Sequence, residues 1–159
     1  MKSTRICVFL LTTISFLLTG PVPASPQSAH VIQNEAVYVP AYSSIFHSDL
    51  QWKFNLAVTL SIHNVDLKNV INIDSIDYYN TSGMIIQSYI IKDAIVLKPL
   101  ETYNLGIREA DNRGGVGANF IVRWHAATKV NRPIIETIMI GTKGQQGISF
   151  TSRGVAIFE

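Results

Sequence analysis

The stretch Phe54-Asn55-Leu56-Ala57-Val58-Thr59-Leu60-Ser61-Ile62-His63 decides the fold class of this chain. Large apolar side chains occupy every second position from Phe54 to Ile62, and small or polar side chains lie between them. Because successive side chains of a strand point to opposite faces, this alternation predicts a strand with one face in a core and the other in water.

Shorter segments of the same kind lie on both sides of this strand and are separated by Gly, Pro and Asn. The alternation slips by one residue near Asp74-Ser75, which predicts a β-bulge, and Asn80-Thr81-Ser82-Gly83 predicts a type I turn. About seven to eight short strands with such turns predict an all-β fold, a single antiparallel β-sandwich of the immunoglobulin-like type. Residues 134–140 fit either a strand or one short helix.

The first 24 residues have the three parts of a secretory signal peptide. Lys2 and Arg5 precede an apolar run from Ile6 to Leu18, and Val22-Pro23-Ala24 supplies small residues for cleavage, with a second possible site after Ala29. A retained membrane anchor is the alternative, but a spanning helix needs about 20 apolar residues. We therefore expect an exported protein, periplasmic or secreted, with no stable membrane span after cleavage near Ala24.

Cleavage would change both the cysteine content and the charge of the chain. It would remove 24 of 159 residues and leave 135, without the single cysteine, Cys7. Loss of Lys2 and Arg5 from the 13 basic residues leaves 11 against 11 acidic residues. A neutral chain without a basic cluster argues against nucleic-acid binding and against a polybasic membrane-surface patch. We expect residues 25–35 to form a flexible leader and residues 36–159 to form one domain.

No motif in the sequence predicts a catalytic residue or a cofactor. His63 and His125 lie in the outward register of two strands and could bind a metal with a carboxylate only if those strands were neighbours. Exposed strand histidines are the preferred interpretation, so no metal site is predicted. Glu109, Asp111 and Asn112 have calcium-ligand chemistry, but the spacing of an EF-hand loop is absent and a solvated loop is preferred.

The loops are the better candidates for function, since rigid sandwiches commonly bind through loops at one end. Residues 41–53, 109–117 and 141–147 form this predicted surface. The candidate ligand- or partner-binding residues are Trp52, Asp111, Asn112, Arg113, Gly114, Gly115, Gln145 and Gln146. The leading hypothesis is a non-enzymatic module that binds an envelope protein or cell-surface component. The alternatives are a metal-dependent or hydrolytic enzyme that uses His63 and His125 with nearby carboxylates, and a small-ligand or glycan binder that uses Trp52 and tyrosines.

Several segments also resemble an uncharacterised exported bacterial family, domain-of-unknown-function family 3124. The resemblance is carried by Tyr38-Val39-Pro40-Ala41-Tyr42-Ser43, Asp77-Tyr78-Tyr79, Gly114 to Trp124 and Gly141 to Gly154, and it spans nearly all of residues 37–155. It implies a bacterial envelope or secreted protein. It implies no activity, ligand or catalytic residue.

Overall fold

The computed structural model describes residues 31–89, 92–142 and 147–158. The predicted signal peptide and residues 25–30 of the predicted leader lie outside this part of the chain. The strands, in chain order, are β1 (Val31–Pro40), β2 (Ser44–His47), β3 (Trp52–Asn55), β4 (Ala57–His63), β5 (Ile71–Tyr79), β6 (Ile85–Ser88), β7 (Ile95–Leu97), β8 (Thr102–Ile107), β9 (Asn119–Asn131), β10 (Ile134–Gly141), β11 (Ile148–Arg153) and β12 (Val155–Ile157).

The strands form two main antiparallel sheets and one separate hairpin. The larger sheet has the order β12-β1-β9-β5-β6, with β7 also paired to β5. The smaller sheet has the order β11-β10-β4-β8, and β2 pairs only with β3. Within the described ranges the remaining regular element is a 3-10 turn at Gly115–Gly117, and no helix there is long and apolar enough to cross a membrane.

One hydrophobic core lies between the two main sheets, so the predicted antiparallel β-sandwich is confirmed. Leu56, Val58, Leu60 and Ile62 are 0 or 1 % exposed, and they meet the inward side chains of the larger sheet, among them Trp124. The alternating stretch is interrupted at Leu56, so that Phe54 belongs to β3 and the rest to β4. The described part of the chain contains twelve strands where seven to eight were expected, because strands of three or four residues, such as β7 and β12, are too short to show a period.

Residues 134–140 are a strand, and the helical alternative is wrong. Ile135, Thr137 and Met139 face the core, and β10 pairs with β4 on one side and β11 on the other. The polar side chain of Thr137 at an inward position hid the two-residue period in the sequence. Its hydroxyl donates a hydrogen bond to the Pro40 carbonyl at 2.5 Å, so the buried position is satisfied.

The predicted bulge in β5 and the predicted turn after it are confirmed, whereas the predicted start of the ordered chain is too late. The pairing of β5 with β9 shifts between Ile73 and Ser75, so Asp74 is the bulged residue. At the turn, the Gly83 amide donates to the Asn80 carbonyl at 2.9 Å, and the φ angle of Gly83 is 74°. β1 begins at Val31, so residues 31–35 of the expected leader are in a strand.

Candidate functional site

Parts of two of the predicted binding segments meet at one end of the sandwich, and the first residue of the third lies beside β3. The Ser43 amide donates to the Gly115 carbonyl at 3.2 Å, and the Gly115 amide donates to the Ser43 hydroxyl at 2.8 Å. Gly141, where the third segment begins, lies against Phe54 of β3. We call this region, formed by residues 41–55, 109–117 and 141, the hairpin end. Two predicted binding residues, Gln145 and Gln146, lie outside the described residues.

Among the described residues, the hairpin of β2 and β3 packs against the sandwich at its base. Ile45 and Phe54 face each other across the hairpin, and both pack against the core. The Leu56 amide also donates to the Ser43 carbonyl at 2.9 Å. Beyond this pair the two strands continue to His47 and Trp52 without joining either main sheet. The outer half of the hairpin therefore projects from the sandwich.

The hairpin tip has an unusual backbone. Ser48, Asp49 and Leu50 have φ angles of 49°, 55° and 67°, and none of the three is glycine. Left-handed conformations of this kind cost about 1 kcal/mol or more each for residues with a side chain. A turn hydrogen bond, from the Gln51 amide to the Ser48 carbonyl at 3.2 Å, closes the tip. Such strain is characteristic of functional loops.

Three large apolar side chains of the projecting hairpin are exposed. Phe46 is 44 %, Leu50 72 % and Trp52 64 % exposed. Trp52 faces His47 across the hairpin, while Phe46 and Lys53 form the next pair on the opposite face. The Lys53 ammonium group lies 5.6 Å from the centre of the Phe46 ring. Trp52 was a predicted binding residue. Phe46 and Leu50 were missed because their segment shows no clear alternation.

The predicted binding residues of the glycine-rich loop largely satisfy one another. The Arg113 guanidinium donates to both carboxylate oxygens of Asp111, at 2.8 and 2.7 Å. Hydrogen bonding from Arg113 lowers the pKa of Asp111, and hydrogen bonding to Asp111 raises the pKa of Arg113. The Asn112 carbonyl accepts a hydrogen bond from the Gly115 amide at 3.2 Å.

Packing explains why the neighbouring residues, Gly114 and Gly115, are glycine. A Cβ atom on Gly114 would lie 2.1 Å from the Tyr78 hydroxyl oxygen. Gly115 has a φ angle of 77°, which favours glycine. Glycine at these two positions therefore permits the close packing and the backbone conformation of the loop at the hairpin end.

His63 and His125 do not meet, so the metal and enzyme hypotheses that required them to be neighbours are wrong on this point. β4 pairs with β10 and β8 in the smaller sheet, whereas β9 belongs to the larger sheet. Their outward side chains consequently lie on opposite sides of the sandwich. The Nδ1 atom of His63 lies 2.9 Å from the Thr102 hydroxyl oxygen, and that of His125 lies 2.8 Å from an Asp74 carboxylate oxygen. Among the described residues, no group of three potential metal ligands is present.

Sequence reasoning also missed a cleft of about 490 Å³ beside β1 and β12. Glu35, Trp124 and Arg132 line it together with apolar residues such as Phe158. The Glu35 side chain is 6 % exposed and forms an ion pair of 2.8 Å with Arg132. Burial raises the pKa of Glu35, and the Arg132 charge opposes this effect. Glu35 was assigned to the leader, so nothing in the sequence placed it beside Trp124.

Comparisons with known proteins identify a family. Residues 34–157 match the family described as "Protein of unknown function (DUF3124)". No curated protein matches the chain. Among solved structures, the chain is similar to Thermotoga maritima 1070, with 10 % identity and a TM-score of 0.46, over 76 % of this chain and 92 % of the other. Because the family match covers most of the sequence, the chain belongs to the family of unknown function DUF3124.

Proposed function

We propose that the protein is a non-enzymatic, extracytoplasmic binding module of the bacterial envelope that docks on its partner through the β2–β3 hairpin. The observation that carries the proposal is the exposure of Phe46, Leu50 and Trp52 on a projecting hairpin. Export rests on the predicted signal peptide of residues 1–24.

Two physical arguments support a binding role for the hairpin. Exposed apolar side chains that cluster on one small element are typical of interaction sites, whereas single ones are common on any surface. The strained tip at Ser48, Asp49 and Leu50 also costs free energy that a shorter turn with glycine would avoid. The cost of exposing the apolar side chains and the cost of the strained tip are both offset if the hairpin becomes buried in a complex.

Replacing the exposed side chains should abolish binding without unfolding the protein. We expect a Leu50→Ser/Trp52→Ala variant to keep its Tm within about 2 °C, because exposed positions contribute little to stability. Its binding to the isolated envelope fraction, measured by co-sedimentation, should fall at least about tenfold, as expected for loss of two apolar anchors.

The matched control lies at the other end of the sandwich. Leu67 and Val96 are 72 % and 55 % exposed, so a Leu67→Ser/Val96→Thr variant makes exposed apolar positions polar away from the hairpin. Equal binding of the wild type and both variants to the envelope fraction would contradict the proposal.

The cleft beside β1 favours a second candidate function, small-ligand binding. Within the described residues, Glu35 Oε2 and Trp124 Nε1 make no hydrogen bond, and both residues line the cleft. A sugar hydroxyl can accept from an indole N–H and donate to a carboxylate. In a thermal-shift panel, a sugar that binds in the cleft should raise the Tm by several degrees at a concentration of about 100 times its Kd. The Arg132→Gln substitution should reduce this shift. An unchanged Tm across the panel would remove this candidate.

A further inference from the structure

We propose that the surface on which the hairpin docks is a phospholipid bilayer, with Phe46, Leu50 and Trp52 in the interfacial region of the membrane. This inference rests on the proposed function, because it names the partner of the same hairpin. It does not involve a membrane span.

The distribution of the apolar side chains favours lipid over a flat protein surface. Phe46 and Trp52 occupy adjacent register pairs and therefore point to opposite faces of the hairpin, and Leu50 lies at the tip between the strands. A flat protein partner would contact only one face. An environment that surrounds the tip from all sides, as lipid headgroups and upper acyl chains do, can contact all three side chains at once.

The three side chains expose a modest apolar area. An aromatic side chain presents about 150–250 Å² when fully exposed. At exposures of 44 %, 72 % and 64 % the three residues together offer on the order of 400 Å². Interfacial membrane insertion strengthens with the apolar area that is immersed, so an area of this size supports it.

The chemistry of the hairpin also sets how deeply it can insert. Tryptophan and lysine are suited to the membrane interface, because an apolar body is combined with a polar or charged end. Polar residues at the tip, Ser48, Asp49 and Gln51, disfavour the hydrocarbon centre. Insertion by about 5–10 Å, the depth of interfacial segments, keeps these groups among the headgroups.

The charges of the hairpin predict which lipids it binds. Between Ser44 and Asn55 the one acidic residue, Asp49, balances the one lysine, Lys53. Attraction to anionic lipids depends on clustered basic residues and is weakened by salt. We therefore expect the hairpin to bind zwitterionic phosphatidylcholine vesicles, with little effect of salt or of added anionic lipid.

The two tryptophans make the proposal directly testable. Trp124 is 1 % exposed and Trp52 is 64 % exposed, so a change of fluorescence on adding vesicles reports mainly on Trp52. Phosphatidylcholine vesicles should shift the emission to shorter wavelength, and lipids brominated on their acyl chains should quench it. In Trp52→Phe the shift should disappear, while co-flotation with vesicles remains.

The decisive variant keeps the reporter and removes its apolar neighbours. Phe46→Ser/Leu50→Ser should weaken vesicle partitioning at least about tenfold, since two exposed apolar side chains are lost. Leu67→Ser/Val96→Thr, in the same full-length background, should partition like the wild type. Identical backgrounds cancel any contribution of the apolar run in residues 1–24.

Three outcomes would overturn the inference, and they separate it from the proposed function. Absence of an emission shift, combined with a protein crosslinked at position 50 in cells, contradicts lipid docking and supports a protein partner. Vesicle binding that requires anionic lipid and survives Phe46→Ser/Leu50→Ser contradicts the role of the hairpin. Absence of both vesicle binding and crosslinking contradicts the proposed function as well.

Discussion

Replacing Asp66 with alanine is expected to destabilise the protein by about 3 kcal/mol, because three backbone amides would lose a charged hydrogen-bond acceptor. One carboxylate oxygen of Asp66 accepts from the Lys68 and Asn69 amides, both at 2.9 Å, and the other accepts from the Asn131 amide at 3.0 Å. The side chain thereby joins the loop after β4 to the last residue of β9. Asp66 is only 7 % exposed, so water can replace little of this network.

The loss should be visible as a fall of about 10 °C in Tm by calorimetry or circular dichroism. Asp93→Ala is the matched control, because Asp93 is exposed and its removal should change the Tm by no more than about 2 °C. A Tm for Asp66→Ala equal to that of the control would show that these hydrogen bonds do not stabilise the fold.

The same network predicts how the effect depends on pH. Hydrogen bonds from the Asn131, Lys68 and Asn69 amides lower the pKa of Asp66 from 3.8 to about 2. Since the folded-state pKa is below the unfolded-state pKa, the stabilisation is complete above the unfolded-state value and is lost as the pH falls through 3.8 toward about 2.

The difference in unfolding free energy between wild type and Asp66→Ala should therefore be constant from pH 7 to about 5 and shrink below that. Denaturant titrations at several pH values measure it. Taking the difference between the two proteins also cancels the opposite effect of Glu35, whose raised pKa favours the folded state on acidification. A difference that does not change between pH 5 and 2.5 would contradict this account.

Residues with a regular pattern made the sandwich predictable from the sequence. Alternation from Leu56 to Ile62 fixed the inward face of β4, and the slip near Asp74 revealed a bulge without any structural information. Where a polar side chain occupies a core position, as Thr137 does, the pattern becomes ambiguous. The register of β10 was then decided by its two neighbouring strands, which sequence alone does not identify.

The candidate site was less predictable because it depends on long-range contacts. That Ser43 and Gly115 join two of the predicted loops follows from the sheet topology and not from local spacing. The separation of His63 and His125 follows from the same topology. Trp52 could be named from its residue type, but its exposure depends on the hairpin leaving the sandwich beyond Phe54, which no local pattern indicates.

Adding a single methyl group at Gly141 should loosen the hairpin from the sandwich. A Cβ atom at this position would lie 2.1 Å from Cε1 of Phe54 and 2.9 Å from Cδ2 of Leu56. Leu56 is fully buried, so the Phe54 ring must move. Overpacking of this kind costs about 1–3 kcal/mol. We expect Gly141→Ala to lower the free energy of unfolding by that amount and to increase amide exchange in β2 and β3.

Gly106→Ala is the matched control in the same sheet, because a Cβ atom on Gly106 would meet no atom within 4 Å. That variant should have nearly wild-type stability and amide exchange. The double variant Gly141→Ala/Phe54→Leu tests the mechanism, because a smaller side chain at position 54 should relieve the clash and make the two effects non-additive. If the two losses of unfolding free energy are additive, the clash with Phe54 is not the source of the strain. If Phe54 does connect the hairpin to the core, Gly141→Ala should also weaken binding through Trp52 although every exposed side chain of the hairpin is unchanged.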